Sequence, residues 1–399
     1  MNTLEIYNPR TKKKERFGAP GRKAGVYVCG ITPYDITHLG HAFTYTFFDV
    51  LLRYLRHIGY QTTYVQNLTD IDDDIIKKSK ELNKNWRELG EENAQKFLQD
   101  MKWLNNEQPD VYPRATDHIQ GIQEMIRTLL RRGAAYEKNG SVYFSVAKDK
   151  SYGKLSLLSK KKMLVIANQR GNNPNDRNKK DPLDFVLWQA RKKGEPSWFS
   201  PWGPGRPGWH IECSVMSSSY LGDTVDIHGG GSDLLFPHHE SEIAQSETAT
   251  GKQFVRHWMH TGMLRYKGEK MSKSLGNLVL IGDLKKKYSA NAIRMYLLSH
   301  HYRSVFEFHE KDMKKAQLRE ELFKKVWRLQ SQTGTPLNIS EYREGFHRAM
   351  NDDMNTPQAL ETLERLAKRI FKEKKKSVAA AKAFLNIAFC IIGLTVEYK

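Results

Sequence analysis

Two hydrophobic periods alternate along the chain. From residue 25 a short apolar run, GVYVC, is followed by AFTYTFFDVLLRYLRHIGY, whose apolar residues recur at helical spacing, and then by the β-rich QTTYVQNL. That succession predicts strand, helix, strand over 25–66, a βαβ unit that seeds an open parallel sheet. Helical periods return near 86–104 and 116–132, and AYEKNGSVYFSVAK (135–148) predicts a hairpin turning at Asn139-Gly140. The polar run RGNNPNDRNKKDP (170–182) has the composition of a loop. The α/β pattern resumes over 208–264, with a helix from near Trp209, a strand ending in TVDIHGGG, and a helix over ESEIAQSETATG. From Gly282 the chain reads as helix almost throughout, and KDMKKAQLREELFKKVWRLQ and PQALETLERLAKRIFKEKKK are both amphipathic. SVAAAKAFLNIAFCIIGL is apolar over much of its surface, which predicts a bundle helix with Cys390 in its core.

The sheet pattern is thus split by a long insertion. Ligands of open α/β sheets bind at the carboxyl ends of the strands. Cys29, His38 and His41 follow one such end, and His228, Gly229, Gly230 and Gly231 close another. These distant segments are predicted to share one cleft.

Composition narrows the class. A chain of 399 residues is too long for one compact core and predicts more than one domain. No apolar run reaches the length of a membrane span, and MNTLEIYNPRTKKK is not a signal peptide. Cys29, Cys213 and Cys390 stand too far apart for a disulfide framework, which fits a reducing cytoplasm. The balance of 64 Lys plus Arg against 45 Asp plus Glu leaves +19, a field that attracts polyanions such as nucleic acid. A lysine-rich surface that merely solvates itself would give the same balance.

Three constellations carry chemistry. HLGH (38–41) opens a helix, where free N–H groups and the macrodipole favour an anion. Imidazoles there can donate to phosphate oxygens, and Gly40 lets a nucleotide approach the backbone; alone, such a pair is more often structural. GEKMSKSLGN (268–277) alternates Lys270 and Lys273 with serines in a glycine-bounded loop, cations suited to the charge that builds on a breaking polyphosphate. An exposed basic loop reads the same way. Finally, Cys29, Cys213 in GWHIECS, and His238 and Glu242 on one helix face of FPHHESEIAQ offer two thiolates, an imidazole and a carboxylate, a reasonable zinc set. Neither cysteine belongs to a C-x-x-C pair, so on these residues alone two buried cysteines and a surface histidine is the plainer reading.

HLGH early and KMSKS late, in that order, resemble the two signatures of the class I aminoacyl-tRNA synthetases. YVCGITPYD, NLTDIDD, PLDFVLW, GEPSW, GRPGWHIECS, DIHGGGSDLLFPHHESEIAQS, WMHTGML and KMSKSLGN, spread over nearly the whole chain, resemble cysteinyl-tRNA synthetase in particular. The resemblance implies an α/β fold: a Rossmann-like parallel sheet with an inserted connective domain, followed by an all-α helical bundle. On that basis 1–115 and 196–265 form the two halves of the catalytic domain, with 116–195 the insertion for the acceptor end. Residues 266–310 would hold the KMSKS loop and stem-contact region, and 311–399 the bundle. It implies activation of L-cysteine with ATP to cysteinyl-adenylate and pyrophosphate, then transfer to the 3′ end of tRNA(Cys). By matching positions, Cys29, Cys213, His238 and Glu242 would hold one Zn²⁺ that binds the substrate's sulfur, and Thr69, Trp209 and His228 would line the amino-acid pocket. His38, His41, Lys270 and Lys273 would act on the phosphates. ATP, accompanied by Mg²⁺, would lie on Gly40, Gly229, Gly230, Gly231, Asp233 and Lys273. A soft thiolate binds zinc where a serine hydroxyl does not compete, so the metal would separate two amino acids that shape distinguishes poorly.

Cysteinyl-tRNA synthetases usually carry a further domain that reads the anticodon, and this chain stops at GLTVEYK, close to where it would begin. The expectation is a compact, monomeric, cytoplasmic form, with no membrane partner, that reads tRNA mainly at the acceptor stem. A sister family, the mycothiol cysteine ligases, shares that truncation and joins cysteine to a glucosaminyl-inositol amine. TPYDITHLGHAFTY, YVQNLTDIDD, QRGNNPND and KSLGNLVLI resemble it, as do Phe43, where many synthetases have arginine, and Asp74, where lysine is common. Glu242 in HHESEIAQ and His228 in DIHGGG match the synthetase pattern better, and +19 favours an RNA acceptor. A non-catalytic tRNA-binding or sensor paralogue would be expected to have lost the ATP or zinc groups, and both sets are present. The KEKKK run could follow a tRNA backbone or be a solvated helix face.

Overall fold

The computed structural model describes residues 3–34, 36–271, 276–330, 334–373 and 376–395. β1 (Lys23–Ile31), α1 (Leu39–His57) and β2 (Gln61–Leu68) form the predicted βαβ unit, with β1 and β2 parallel from Lys23↔Gln61 to Ile31↔Leu68. The pairing slips after Val28. There the Gly30 N–H reaches Asn67 Oδ1 at 2.7 Å, and a Cβ on Gly30 would fall 1.5 Å from the Asn67 carbonyl oxygen. Only glycine allows that approach, which explains the residue after Cys29. α2 (Asp73–Glu81) and α3 (Trp86–Trp103) follow, the first capped by Asp72 accepting from Ile75 N–H.

The insertion is built on an apolar core that also takes in Ile211, Val215, Phe236 and Ala244. α4 (Ile119–Arg131) leads into the hairpin β3 (Ala135–Lys138) and β4 (Ser141–Phe144), whose turn places Asn139 at φ 53° and Gly140 at φ 76°. Both positive values are what a two-residue hairpin turn needs. α5 (Lys160–Asn168) packs Met163 and Ala167 into the same core, and 170–182 is turn and coil. β5 (Phe185–Ala190) and β6 (Gly205–Pro207) complete an antiparallel sheet ordered β3-β4-β5-β6. The PLDF aspartate is structural. Buried Asp184 accepts from Tyr136 Oη at 2.7 Å, Val146 N at 2.9 Å and Asp181 N at 3.0 Å, tying hairpin, turn and loop together.

α6 (Trp209–Leu221), β7 (Val225–Gly231), α7 (Glu240–Thr250) and β8 (Val255–Thr261) then finish the main sheet, ordered β8-β7-β1-β2 and parallel throughout. α8 (Ala290–Leu298) leads to the helices α9 (Glu310–Arg328), α10 (Ser340–Asn351), α11 (Thr356–Lys372) and α12 (Ala379–Ile392). The α/β sheet with a helical bundle behind it is the expected fold class.

Cys390 is a correction: it is exposed. α12 is apolar by composition, yet it buries one stripe only, including Ala381, Phe384, Leu385, Ala388 and Ile391, and leaves Ala383, Asn386, Ile387 and Cys390 outside. Where sheet and bundle meet, Arg294 of α8 is fully buried. It pairs with Asp49 of α1, donates to Leu104 O at 3.0 Å, and donates to Ile392 O from Nε at 3.2 Å and Nη2 at 2.8 Å. Gly393 follows at φ 68°, and a Cβ there would lie 1.9 Å from Arg294 Nη2. Among the described residues no helix is long and apolar enough to cross a membrane.

Candidate active site

At the carboxyl edge of the sheet, Cys29 of β1, Cys213 of α6, His238 just before α7 and Glu242 within it converge. One ligand atom from each lies within 4.8 Å of the others, and all four residues are buried. Cys29 Sγ is 3.9 Å from Cys213 Sγ and 3.8 Å from Glu242 Oε1, and His238 Nε2 is 3.2 Å from Glu242 Oε1. Bonds of about 2.3 Å from a tetrahedral ion would set two sulfurs about 3.8 Å apart, so the spacing fits zinc. The electrostatics fit too. Burial pushes the Cys29 thiol and the Glu242 carboxyl well up, and pushes His238 well down. In so dry a site those two acids stay neutral unless a cation compensates them, and the imidazole is in the unprotonated form that ligates.

A second set overlaps the first. His239, which the sequence reading passed over, brings Nε2 to 3.3 Å from Cys29 Sγ and 3.9 Å from Glu242 Oε1. With His228 it completes the group Cys29, His228, His239 and Glu242. The available signal was the doubled histidine of FPHHE. The first set has two sulfurs, which favours it for zinc. His228 Nε2 sits 2.9 Å from Glu242 Oε2, where it can hold the carboxylate that carries the other oxygen toward Cys29. His210 backs His238 at 3.0 Å and His260 backs His239 at 2.8 Å. Burial holds His210, His228 and His260 down at about 3, so this histidine cluster is uncharged near neutrality.

Of the other predicted pocket residues, the ring of half-buried Trp209 lies 4.4 Å from that of His238. Thr69 is buried just beyond β2, its Oγ1 accepting from Asn67 Nδ2 at 3.2 Å. Glu240 serves the scaffold: it accepts from Leu155 N at 3.2 Å and Ser156 N at 2.8 Å, joining α7 to the insertion.

His38 caps α1 from an extended backbone, its Nδ1 accepting from Gly40 N at 3.1 Å and His41 N at 3.3 Å. The proton is therefore on Nε2, which makes His38 a donor beyond the helix end. His41 stacks on it with ring centroids 3.7 Å apart. Gly40 has a local reason: a Cβ would sit 2.9 Å from His38 Cε1. Gly40→Ala is therefore expected to displace the His38 ring and loosen the cap it makes on α1, at a cost of about 1 kcal/mol in denaturant unfolding.

The two signatures meet through backbone. Leu39 N donates to Val279 O at 2.8 Å and Ile281 N to Thr37 O at 3.1 Å, so the strand-like stretch after KMSKS is pinned to the start of HLGH. Lys270 lies in a short strand pairing with Arg265, and Lys273 lies outside the described residues. Gly229, Gly230 and Gly231 close β7; a Cβ on Gly229 would strike the Phe48 ring at 2.0 Å, so this glycine also lets α1 pack on the sheet. Asp233 follows, its Oδ2 3.3 Å from Arg170 Nη1.

Sheet, insertion, bundle and the paired motifs together define a class I aminoacyl-tRNA synthetase. Residues 18–318 match the model of the tRNA synthetases class I (C) catalytic domain, and 345–396 match the DALR domain. Cysteine–tRNA ligase of Thermococcus onnurineus is 45% identical over 99% of this chain and 87% of that protein, and that of Stutzerimonas stutzeri 47% over 98% and 85%. Among solved structures, Mycobacterium tuberculosis methionyl-tRNA synthetase bound by methionyl-adenylate aligns with a TM-score of 0.66 at 16% identity, over 93% of this chain and 90% of that one. At that identity the likeness speaks to the fold alone. The chain belongs to the cysteine–tRNA ligase family.

Proposed function

We propose that the chain activates L-cysteine with ATP and transfers it to the 3′ end of tRNA(Cys), with the residues above in the following roles. The observation that carries this is the meeting of a buried, two-sulfur donor set with HLGH and the flank of KMSKS at one edge of one parallel sheet. Cys29, Cys213, His238 and Glu242 would hold zinc, which when bound would supply a borderline-soft Lewis acid suited to a thiolate sulfur rather than to a hydroxyl. Thr69, Trp209 and His228 shape the pocket around the amino acid. Its carboxylate then attacks the α-phosphorus of ATP in line, forming the mixed anhydride as the bond to pyrophosphate breaks. His38 donates from Nε2 to the phosphates beside His41, and Gly40, Gly229, Gly230, Gly231 and Asp233 seat the nucleotide. Lys270 and Lys273 take up the charge that grows on the leaving pyrophosphate, with Mg²⁺ accompanying ATP. In the second step a terminal ribose hydroxyl of the tRNA attacks the cysteinyl carbonyl and AMP leaves.

The acceptor stem and single-stranded end are the parts of tRNA read, by the insertion and the basic helices of the bundle, in a monomer working in the cytoplasm. Each neutralised phosphate releases counterion, so tRNA affinity should fall with salt with a log–log slope on the order of −3 to −6. An acceptor-stem minihelix should be charged nearly as well as full-length tRNA. Charging assays that offer tRNA, minihelix and a glucosaminyl-inositol amine decide the acceptor. Amide formation on the sugar without cysteinyl transfer to either RNA would overturn this choice.

A further inference from the structure

We infer that Arg170, carried by the insertion, is a positioning residue of the nucleotide site: it fixes the Asp233 carboxylate for a ribose hydroxyl of ATP. The inference rests on the assignment of ATP to this edge of the sheet and adds a residue from outside the parallel sheet and its helices. Arg170 Nη1 lies 3.3 Å from Asp233 Oδ2. The other oxygen, Oδ1, lies over Gly231, where a Cβ would be 2.5 Å from it. One oxygen is thus held by the insertion, and the other rests against Gly231 at the carboxyl end of β7.

The reach of Arg170 is fixed by its backbone. Its N–H donates to Ala167 O at 2.9 Å, closing the last turn of α5. Met163 and Ala167 of α5 share an apolar core with Phe236, three residues beyond Asp233, and Leu235 packs against that core. Packing therefore sets the distance between the two side chains before they pair.

The chemistry favours a ribose ligand. In dinucleotide-binding sheets, whose ligands lie at the carboxyl ends of the strands, an acidic side chain accepts from a ribose hydroxyl. Stability is a poor reason for the pair: its side chains are 26% and 30% exposed, and pairs so open to water contribute little.

The test is equilibrium binding of ATP, 2′-deoxyATP and 3′-deoxyATP to the wild-type chain and to R170A, with thermal midpoints alongside. For R170A we expect an unchanged midpoint and ATP affinity weakened about tenfold, the effect of one misplaced hydrogen bond to a charged group. For one of the two deoxy analogues, which lacks the hydroxyl that Asp233 reads, wild type and R170A should bind equally. R170K should recover part of the loss. In pyrophosphate exchange the KM for cysteine should stay within about twofold, because a defect confined to ATP leaves the amino-acid pocket intact. Equal ATP affinity in wild type and R170A would overturn the inference, and so would an equal loss for ATP and both analogues. Absence of cysteine-dependent exchange in the wild type would instead overturn the proposed function, while nucleotide binding still decides the role of Arg170.

Discussion

Cys213→Ser is expected to emerge folded but depleted of zinc, with cysteine-dependent pyrophosphate exchange lowered by more than about 100-fold, beyond the loss usual for a residue that only orients a ligand. Serine keeps the shape of the side chain inside α6, so the effect isolates the thiolate. Cys213 also separates the two overlapping donor sets: it belongs to one, His239 belongs to the other, and Cys29 and Glu242 belong to both. If the two-sulfur set holds the ion, His239→Asn retains zinc where Cys213→Ser loses it. Metal analysis of the two purified variants reads this directly. Retention of zinc in Cys213→Ser together with its loss in His239→Asn would move the ion to the second set.

Asp49→Ala is expected to cost about 3–5 kcal/mol of stability, the range for breaking a buried ion pair from one side. Asp49 is 2% exposed and faces Arg294, which is wholly buried. It also accepts from Arg53 Nε at 3.0 Å and from Glu107 N at 2.8 Å, so alanine leaves several donors unmatched at once. Burial already pushes the Arg294 guanidinium down, and Asp49 is the first of the groups that oppose this. Guanidinium does not shed its proton in a protein, so the stranded charge must be hydrated or the helices must part. Denaturant unfolding of wild type and variant measures the difference. A loss under about 1 kcal/mol would show that the carboxylate is not the counter-charge the junction depends on.

How far these features are legible in the sequence depends on how local their causes are. GVYVC, the helix after HLGH and the hairpin at Asn139-Gly140 declare themselves, because strand burial, helical period and turn chemistry each act over a few residues. Cys29, Cys213, His238 and Glu242 were visible as donors, but nothing in their spacing said that they meet; four segments of the fold bring them together. His239 was hidden beside His238 because adjacent residues near a helix start are expected to point apart, whereas here both rings turn inward, with centroids 5.7 Å apart. Cys390 was misplaced since composition counts apolar residues and cannot say which face of α12 they occupy. The ladder between 37–39 and 279–281, like the contact of Arg170 with Asp233, depends on chain segments far apart, and a loop's composition carries no trace of its partner.

The buried arginine at the junction also has a meaning in time. The chain is made from its amino terminus, so α1 leaves the ribosome early, with Arg53 of the same helix beside Asp49 but the buried partner, Arg294, still 245 residues away. Even when Arg294 arrives, two of its hydrogen bonds wait for the carbonyl of Ile392, 98 residues later still. The nascent catalytic half therefore completes its packing only once residue 392 has emerged. Long-range closure of that kind is slow and leaves apolar helix faces open meanwhile. Ribosome-bound chains halted before residue 294 should therefore be far more protease-sensitive around α1 than the released protein.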